Sequence, residues 1–482
     1  MNSAPDLSTF IKAYDVRGLV GTQLTDDVVE ALGAGFVDEL GAAGTEIVVG
    51  HDMRDSSPGF VQAFARGATA RGASVMHLGL CSTDESYFAS GRFDAPGAMF
   101  TASHNPATYN GIKFCRAGAQ GVSFATGLER IRDRAQAYLA AGAVPAVATP
   151  GTESHRDVLP EYAAYLRELV NLSAVRPLRI VVDAGNGMGG MTVPAVLGTA
   201  AGLPALPLDI IPLYFELDGT FPNHEANPLE PANLVDLQAA VLEHGADLGL
   251  AFDGDADRCF VIDELGHPVT PSAVAAIVAL REIRREQARL AAAGETDASG
   301  KPAPSIHVIH NLITSRIVAE TITAAGATPV RTKVGHSLIK DRMAETGAIF
   351  GGEHSAHYYF RDFWGADNGM LAAMHLIAQY GDYDGPLSQL AAEFTPYTAS
   401  GEINSTVDDV PEAYTRIVEA FQGRAEVDEL DGLFFTGHAD AGWYWFSVRP
   451  SNTEPLLRLN AEAETPELMA AIRDEVLALI RA

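Results

Sequence analysis

The segment Asp253-Gly254-Asp255-Ala256-Asp257-Arg258 places three carboxylates at alternate positions, with a glycine between the first two. Oxygen donors so spaced can fold around one hard cation such as Mg²⁺ or Ca²⁺, and they suit zinc poorly. A solvated acidic turn has the same composition. Two neighbours favour the metal. The apolar Leu248-Gly249-Leu250-Ala251-Phe252 reads as a strand, and the carboxyl end of a parallel strand is where a sheet presents ligands. Arg258, beside the carboxylates, makes sense if cation and guanidinium both address a phosphate. No EF-hand loop fits, because Val261-Ile262 is again strand-like.

Three further segments carry suitable groups. Thr101-Ala102-Ser103-His104-Asn105-Pro106 follows the apolar Ala98-Met99-Phe100, so Ser103 stands at a strand end among turn formers, placed for a nucleophile or a phosphate carrier. A plain Ser or Asx turn before Pro106 would look alike. The Gly-x-Ser-x-Gly setting of α/β-hydrolases is absent, and adjacency of His104 does not make a triad. Gly351-Gly352-Glu353-His354-Ser355-Ala356-His357 offers a carboxylate, a hydroxyl and imidazoles at the short spacing that a polyhydroxylated ligand needs, although a polar surface loop shares it. Arg449-Pro450-Ser451-Asn452-Thr453 sets one guanidinium fork before hydroxyl, amide and hydroxyl, a set that can surround a phosphate dianion or cap a hairpin turn. Tyr14-Asp15-Val16-Arg17-Gly18 is weaker alone.

A unit that occurs three times must position these groups. Ile47-Val48-Val49, a helical stretch from about Pro58, Gly72 and a strand around Val75 form the first copy. Ile180–Val182, a small-residue helix ending at Gly202, forms the second; His307–His310, a helix to about Ala325 and a strand at Val330 form the third. Apolar runs alternating with helical patterns predict βαβ units and a mainly parallel sheet in each. The end of the chain differs. Trp443–Val448 and Leu456–Leu459 read as antiparallel strands, closed by a helix from Pro466 to Ile480, in a smaller α+β unit. Ala291–Pro304, rich in Ala, Gly, Ser and Pro, predicts a mobile surface loop after a helix that begins near Pro271.

At 482 residues the chain exceeds one core and predicts three or four domains. A net charge of −29 argues strongly against nucleic acid and anionic membranes as partners, so a phosphate site must be locally basic. Three scattered cysteines without a CxxC pair point to a reducing cytoplasm. No apolar run spans a bilayer, and Met1–Ile11 lacks the regions of a signal peptide.

Taken together and in this order, TASHNP, DGDADR, GEHSAH and RPSNT resemble the α-D-phosphohexomutase superfamily, across essentially the whole chain. The branch they look most like is the bacterial phosphomannomutase/phosphoglucomutases, which Phe221-Pro222-Asn223-His224 also fits. The resemblance implies three related α/β domains with mainly parallel mixed sheets (1–152, 153–265 and 266–385) and a C-terminal α+β domain (386–482) around a central cleft. It implies that Ser103 is the phosphoserine and that Asp253, Asp255 and Asp257, with an oxygen of phosphorylated Ser103, bind Mg²⁺. Glu353 and Ser355 become sugar-hydroxyl contacts. Arg449, Ser451, Asn452 and Thr453 become the clamp on the idle phosphate. Tyr14 and Arg17 match the YDxRG pattern, Arg258 offsets charge on the moving phosphoryl group, and His336 matches a substrate-loop histidine.

The implied reaction interconverts hexose 1-phosphate and hexose 6-phosphate, of mannose and/or glucose, through a hexose 1,6-bisphosphate that also serves as activator. Lys113 and His357 both stand as candidates for the base; the lysine qualifies only if the metal and arginines lower its pKa. Where many relatives have glycine this chain has Ala356, which bears on the sugar, and phosphoglucosamine mutase is the alternative. A sugar phosphatase would need no second clamp, and a non-catalytic sensor would be expected to have lost Ser103 or an aspartate. A cytoplasmic monomer or homodimer is expected, with a C-terminal domain that hinges near residues 380–400.

Overall fold

The computed structural model describes residues 5–11, 15–295, 303, 305–450 and 456–482, and of His336 and Ser337 only the backbone. Tyr14, Ser451, Asn452 and Thr453 therefore lie outside the described residues, as does most of the loop expected after Ala291. The helix Pro271–Ala293 itself takes in the first three residues of that stretch, closing on Gly294 in the left-handed conformation.

Three sheets share one plan. In the first, Glu46–His51 is flanked by the parallel strands Ser74–Leu80 and Gly97–Phe100, and the latter turns back into the antiparallel Tyr109–Arg116. In the second, Leu178–Asp183 lies between parallel Leu208–Leu213 and Leu248–Phe252, and the antiparallel return is Cys259–Asp263. In the third, His307–Asn311 lies between Thr328–Thr332 and Phe350–Gly352, returning through Tyr358–Phe360. Continuous burial explains the parallel members: every residue of Leu248–Phe252 is buried, so the strand reads as an unbroken apolar run rather than an alternation.

The crossover helices follow the expected order with one shorter than predicted. Ser57–Ala70 and Arg316–Ala324 match, but the second copy's helix is Gly189–Val196 and stops well before Gly202. Pro194 removes an N–H from its last turns, and Gly198 packs so closely on the Pro194 carbonyl that a Cβ there would lie 2.6 Å from it. The sheets also run past the boundaries expected from sequence. Glu153–His155 joins the first sheet beyond residue 152, and Pro268–Val269 joins the second beyond 265. Helix Leu387–Glu393 buries Leu387, Leu390 and Ala391 in the core of the second and third units rather than starting the last one.

The C-terminal sheet is antiparallel throughout, with Gly442–Pro450 and Leu456–Ala463 at its centre. Thr465 caps the closing helix Pro466–Ile480 by accepting from the Leu468 N–H, with Pro466 at the first position where its missing N–H costs nothing. This unit has its own core around Phe421, Phe435, Phe446, Leu459 and Ile472. Against the third unit it lays Phe434, Trp443 and Trp445 over Leu312 and Ile313.

Candidate active site

The three loops singled out from sequence occupy one topological position. Each connects the outer parallel strand of its sheet to the antiparallel return: 101–108 after Gly97–Phe100, 253–258 after Leu248–Phe252, 353–357 after Phe350–Gly352. Carboxyl ends of parallel strands face the same way, so a common plan in three packed units brings three loops to one place.

Ser103 heads the first loop. It is buried, takes a left-handed φ of 51°, and its N–H is fixed by Thr101 Oγ1 at 2.8 Å. Its Oγ donates to Asp253 Oδ2 at 2.8 Å, across two units, and lies 3.1 Å from His104 Nδ1. Arg258 grips Asp253 through Nε at 2.9 Å and donates from Nη2 to that same His104 nitrogen at 2.6 Å. Burial, then Arg258 and Arg17, push the His104 imidazole down to about 2, so it is neutral and accepting. Arg17 reaches the loop from the first strand, donating to the Ala102 carbonyl and the Asn105 side chain.

Asp253, Asp255 and Asp257 are all buried, and one oxygen of each lies within 4.8 Å of the others. Lys113 Nζ sits 2.6 Å from both Asp255 Oδ2 and Asp257 Oδ2, and Thr83 Oγ1 donates to Asp255 at 2.6 Å. Burial pushes the Asp253 carboxyl up and Arg258 recovers only part; burial and Asp255 hold Asp257 well above its usual range. Asp255 falls below it: burial raises it most, but Lys113, Thr83 and Arg17 together more than offset that. Among the described residues, Oδ1 of Asp255 and Oδ1 of Asp257 are buried and have no hydrogen-bond partner. Orphaned carboxylate oxygens in an all-oxygen set are what a hard divalent cation satisfies, so these residues fit Mg²⁺.

Lys113 is a candidate base only if the metal and arginines lower its pKa. Burial disfavours its charge, but Asp255 and Asp257 more than offset that and hold it above an ordinary lysine. It is a charged donor here. The imidazole of His357 is placed otherwise, 3.0 Å from Ser355 Oγ and 3.9 Å from Asp257 Oδ1. Backbone pairing of Arg258 with His357 splices the metal loop to the third loop.

Glu353 is buried and raised by that burial, although Tyr359 OH donates to it at 2.7 Å, with Asn311 Nδ2 and the Gly335 N–H at 3.3 Å. The Gly335 contact brings the start of helix His336–Thr346 beside Glu353, so His336 opens a helix rather than lying in a loop. Arg449 stands on the C-terminal sheet and pairs with Glu402 at 2.8 Å. Its charge and that of Glu402 reach His354, which ties this strand to the third loop. Thr83, Arg54 and the role of His104 do not stand out from the sequence. Thr83 sits in a capped helix start with nothing local to mark it, and only the His104 imidazole beside Ser103 left a signal.

Comparison with known proteins gives one answer along the whole chain. Models of the phosphoglucomutase/phosphomannomutase alpha/beta/alpha domains I, II and III match residues 9–139, 160–266 and 286–397, and that of the C-terminal domain matches 402–479. The chain is 38% identical over 475 residues to a protein of Xanthomonas campestris described as phosphohexose mutases, covering 98% of each. It is 36% identical over 460 residues to the phosphomannomutase of Escherichia coli K12, covering 94% of this chain and 95% of that one. The crystal structure of a phosphoglucomutase/phosphomannomutase family protein from Burkholderia thailandensis superposes with a TM-score of 0.83 at 29% identity, covering 98% of this chain and 97% of that one. Four domains matched in order, on a fold that brings their loops together, make this chain a member of the phosphoglucomutase/phosphomannomutase family.

Proposed function

We propose that this phosphohexomutase carries its phosphoryl group on Ser103 and passes it between O1 and O6 of a hexose, mannose and/or glucose. The observation that carries the reading is the bond from Ser103 Oγ to Asp253, the first of three buried carboxylates contributed by another unit. A serine so placed can hold a phosphoryl group against a cation site without exposing it to bulk water.

In the proposed cycle hexose 1,6-bisphosphate primes Ser103 as activator. A hexose 1-phosphate then docks its phosphate on Arg449 with Ser451, Asn452 and Thr453, while Glu353 and Ser355 take sugar hydroxyls. O6 attacks phosphorus; the P–O6 bond forms as the bond to Ser103 Oγ breaks. His357 accepts the proton from O6, and the charged Lys113 and Arg258 offset negative charge on the transferring group. Mg²⁺ held by Asp253, Asp255 and Asp257 supplies further charge neutralisation when bound. The bisphosphate turns over, the other phosphate is returned to Ser103, and hexose 6-phosphate leaves. Positioning and electrostatics supply most of the rate in such transfers. The phosphomannomutases among its relatives favour mannose over glucosamine. A cytoplasmic monomer or homodimer fits this chemistry.

Treating the protein with glucose 1,6-bisphosphate and mapping phosphopeptides tests the assignment. Phosphate on Ser103, absent from Ser103→Ala, is expected. Phosphate on another residue, in a protein that still turns over, would refute it.

A further inference from the structure

Arg54 lies directly after the central strand of the first sheet and is among the most completely buried large side chains. No substrate-facing role is open to it, because all of its guanidinium hydrogens are taken. Nε donates to Asp52 Oδ2 at 3.1 Å. Nη1 donates to the carbonyls of Pro106 and Tyr109, both at 2.9 Å. Nη2 donates to the carbonyls of Ser103 at 2.9 Å and Asn105 at 2.7 Å. A guanidinium has five N–H groups, so none is left over. Three of them hold carbonyls of the Ser103 loop, and a fourth holds that of Tyr109, where the return strand begins.

The bond to the Ser103 carbonyl matters most. Ser103 is a non-glycine residue in the left-handed region, which costs about 1–2 kcal/mol and persists only where the surroundings impose it. The same carbonyl faces Gly254 of the metal loop so closely that a Cβ there would come within 2.4 Å of it. Arg54 thus pulls on one side of a group whose other side is the metal loop.

A second contact closes the arrangement from the neighbouring unit. The Phe221 ring covers the Arg54 guanidinium, 5.2 Å from carbon to ring centroid, and Gly219 approaches the Arg54 backbone where a Cβ would be 2.7 Å away. That 218–224 segment is tied to Asn186, by the Asp218 N–H at 3.0 Å and by Asn223 Nδ2 at 2.8 Å. Two residues on, the Met188 N–H donates to the Gly254 carbonyl at 2.9 Å. A closed circuit results: Arg54, the Ser103 loop, the metal loop, the Asn186 turn, Phe221, Arg54.

We infer that Arg54, clamped beneath Phe221, is a positioning residue that fixes the Ser103 loop against the metal loop and sets the rate of phosphoryl transfer without touching substrate. The inference rests on Ser103 being the phosphoryl carrier. Lysine keeps the charge but has three donors and no fork, so Arg54→Lys leaves loop carbonyls unheld. A misplacement of ~1 Å costs on the order of 100-fold in rate. Arg54→Lys is therefore expected to lower kcat about 100-fold while KM for the hexose phosphate stays within about threefold. Phe221→Leu retains all five hydrogen bonds and an apolar cover, and is expected to lower kcat about tenfold with the same unchanged KM.

The measurement is kcat and KM of both variants with Mg²⁺ and glucose 1,6-bisphosphate, at a temperature where circular dichroism shows them folded, with Ser103 occupancy read by mass. Full occupancy with depressed kcat supports positioning. Wild-type kcat in either folded variant overturns it, as does a KM that rises in step with the lost rate. Should Arg54→Lys fail to fold, Phe221→Leu decides alone. A wild-type enzyme that turns over without phosphate on Ser103 would instead overturn the carrier assignment, leaving the two failures distinguishable.

Discussion

His104 shows how a residue beside the chemistry also sets the protein's response to acid. In the unfolded chain its imidazole protonates below an ordinary pKa of 6.5, whereas in the fold burial and two arginines hold it neutral down to about 2. Protons therefore favour the unfolded state as pH falls. The stabilisation is fully present above pH ~6.5 and is lost below it, by about 2 kcal/mol between pH 7 and pH 5. His310, pushed down to about 4 by burial, adds a contribution of the same sign. Urea melts of the unphosphorylated enzyme at pH 7 and pH 5 should show this loss, and His104→Gln should show a clearly smaller one; equal losses would refute the assignment. At this scale sequence was informative where chemistry is local. Asp253, Asp255, Asp257 and Ser103 could be picked out because their types and spacing sit within one turn. Thr83 and Arg54 act on the site through contacts with distant segments, and nothing in their own neighbourhoods marks it. Lys113 was legible as a position but not in its protonation, which depends on two carboxylates 142 and 144 residues away.

Elements constrain the site through backbone-to-backbone contact as much as through side chains. Gly369, the first residue of helix Gly369–Gly381, backs the metal loop: a Cβ there would lie 2.8 Å from the Arg258 carbonyl carbon and 2.9 Å from the Ala256 carbonyl oxygen. Backbone cannot rotate away as a side chain can. Gly369→Ala should therefore displace the carboxylates and raise the Mg²⁺ concentration for half-maximal activity at least about tenfold, with a lower melting temperature. Gly59, inside helix Ser57–Ala70 with open space around it, is the control: alanine there should leave activity unchanged and stabilise by up to ~1 kcal/mol. Unchanged Mg²⁺ dependence in Gly369→Ala would contradict this account of the loop. Strands and helix starts were legible because buried parallel strands are unbroken apolar runs and caps are local. Helix Gly189–Val196 ended early for reasons the pattern did not weigh, Pro194 and a close glycine contact. Sheet boundaries were missed because Glu153–His155 and Pro268–Val269 are too short to carry a periodic signal.

Across the whole molecule, the first three units share buried contacts, while the last has a separate core and meets the third through an aromatic patch and polar contacts such as Arg331 to Asp428 and the Arg316 N–H to Glu462. Arg449 stands on that last unit, and the proposal that it clamps the idle phosphate goes with the expectation that this unit closes on the ligand. Within the 380–400 stretch expected to hinge, helix Leu387–Glu393 is packed into the shared core and Thr398–Ala399 already pairs with the C-terminal sheet, so a hinge there would have to fall at 395–397. Small-angle scattering should show a smaller radius of gyration with glucose 1,6-bisphosphate than without; identical curves would count against closure. The repeated plan, three sheets with their loops at one topological position, was visible as three apolar-strand units, but their convergence came only with the fold. The central claim is that this site isomerises hexose phosphates through Ser103. A coupled assay with Mg²⁺ and catalytic glucose 1,6-bisphosphate, offering mannose, glucose and glucosamine 1-phosphates, tests it most directly. Turnover of mannose or glucose 1-phosphate to the 6-phosphate, abolished in Ser103→Ala, is the predicted result; a folded, phosphorylated enzyme that isomerises none of the three would contradict it.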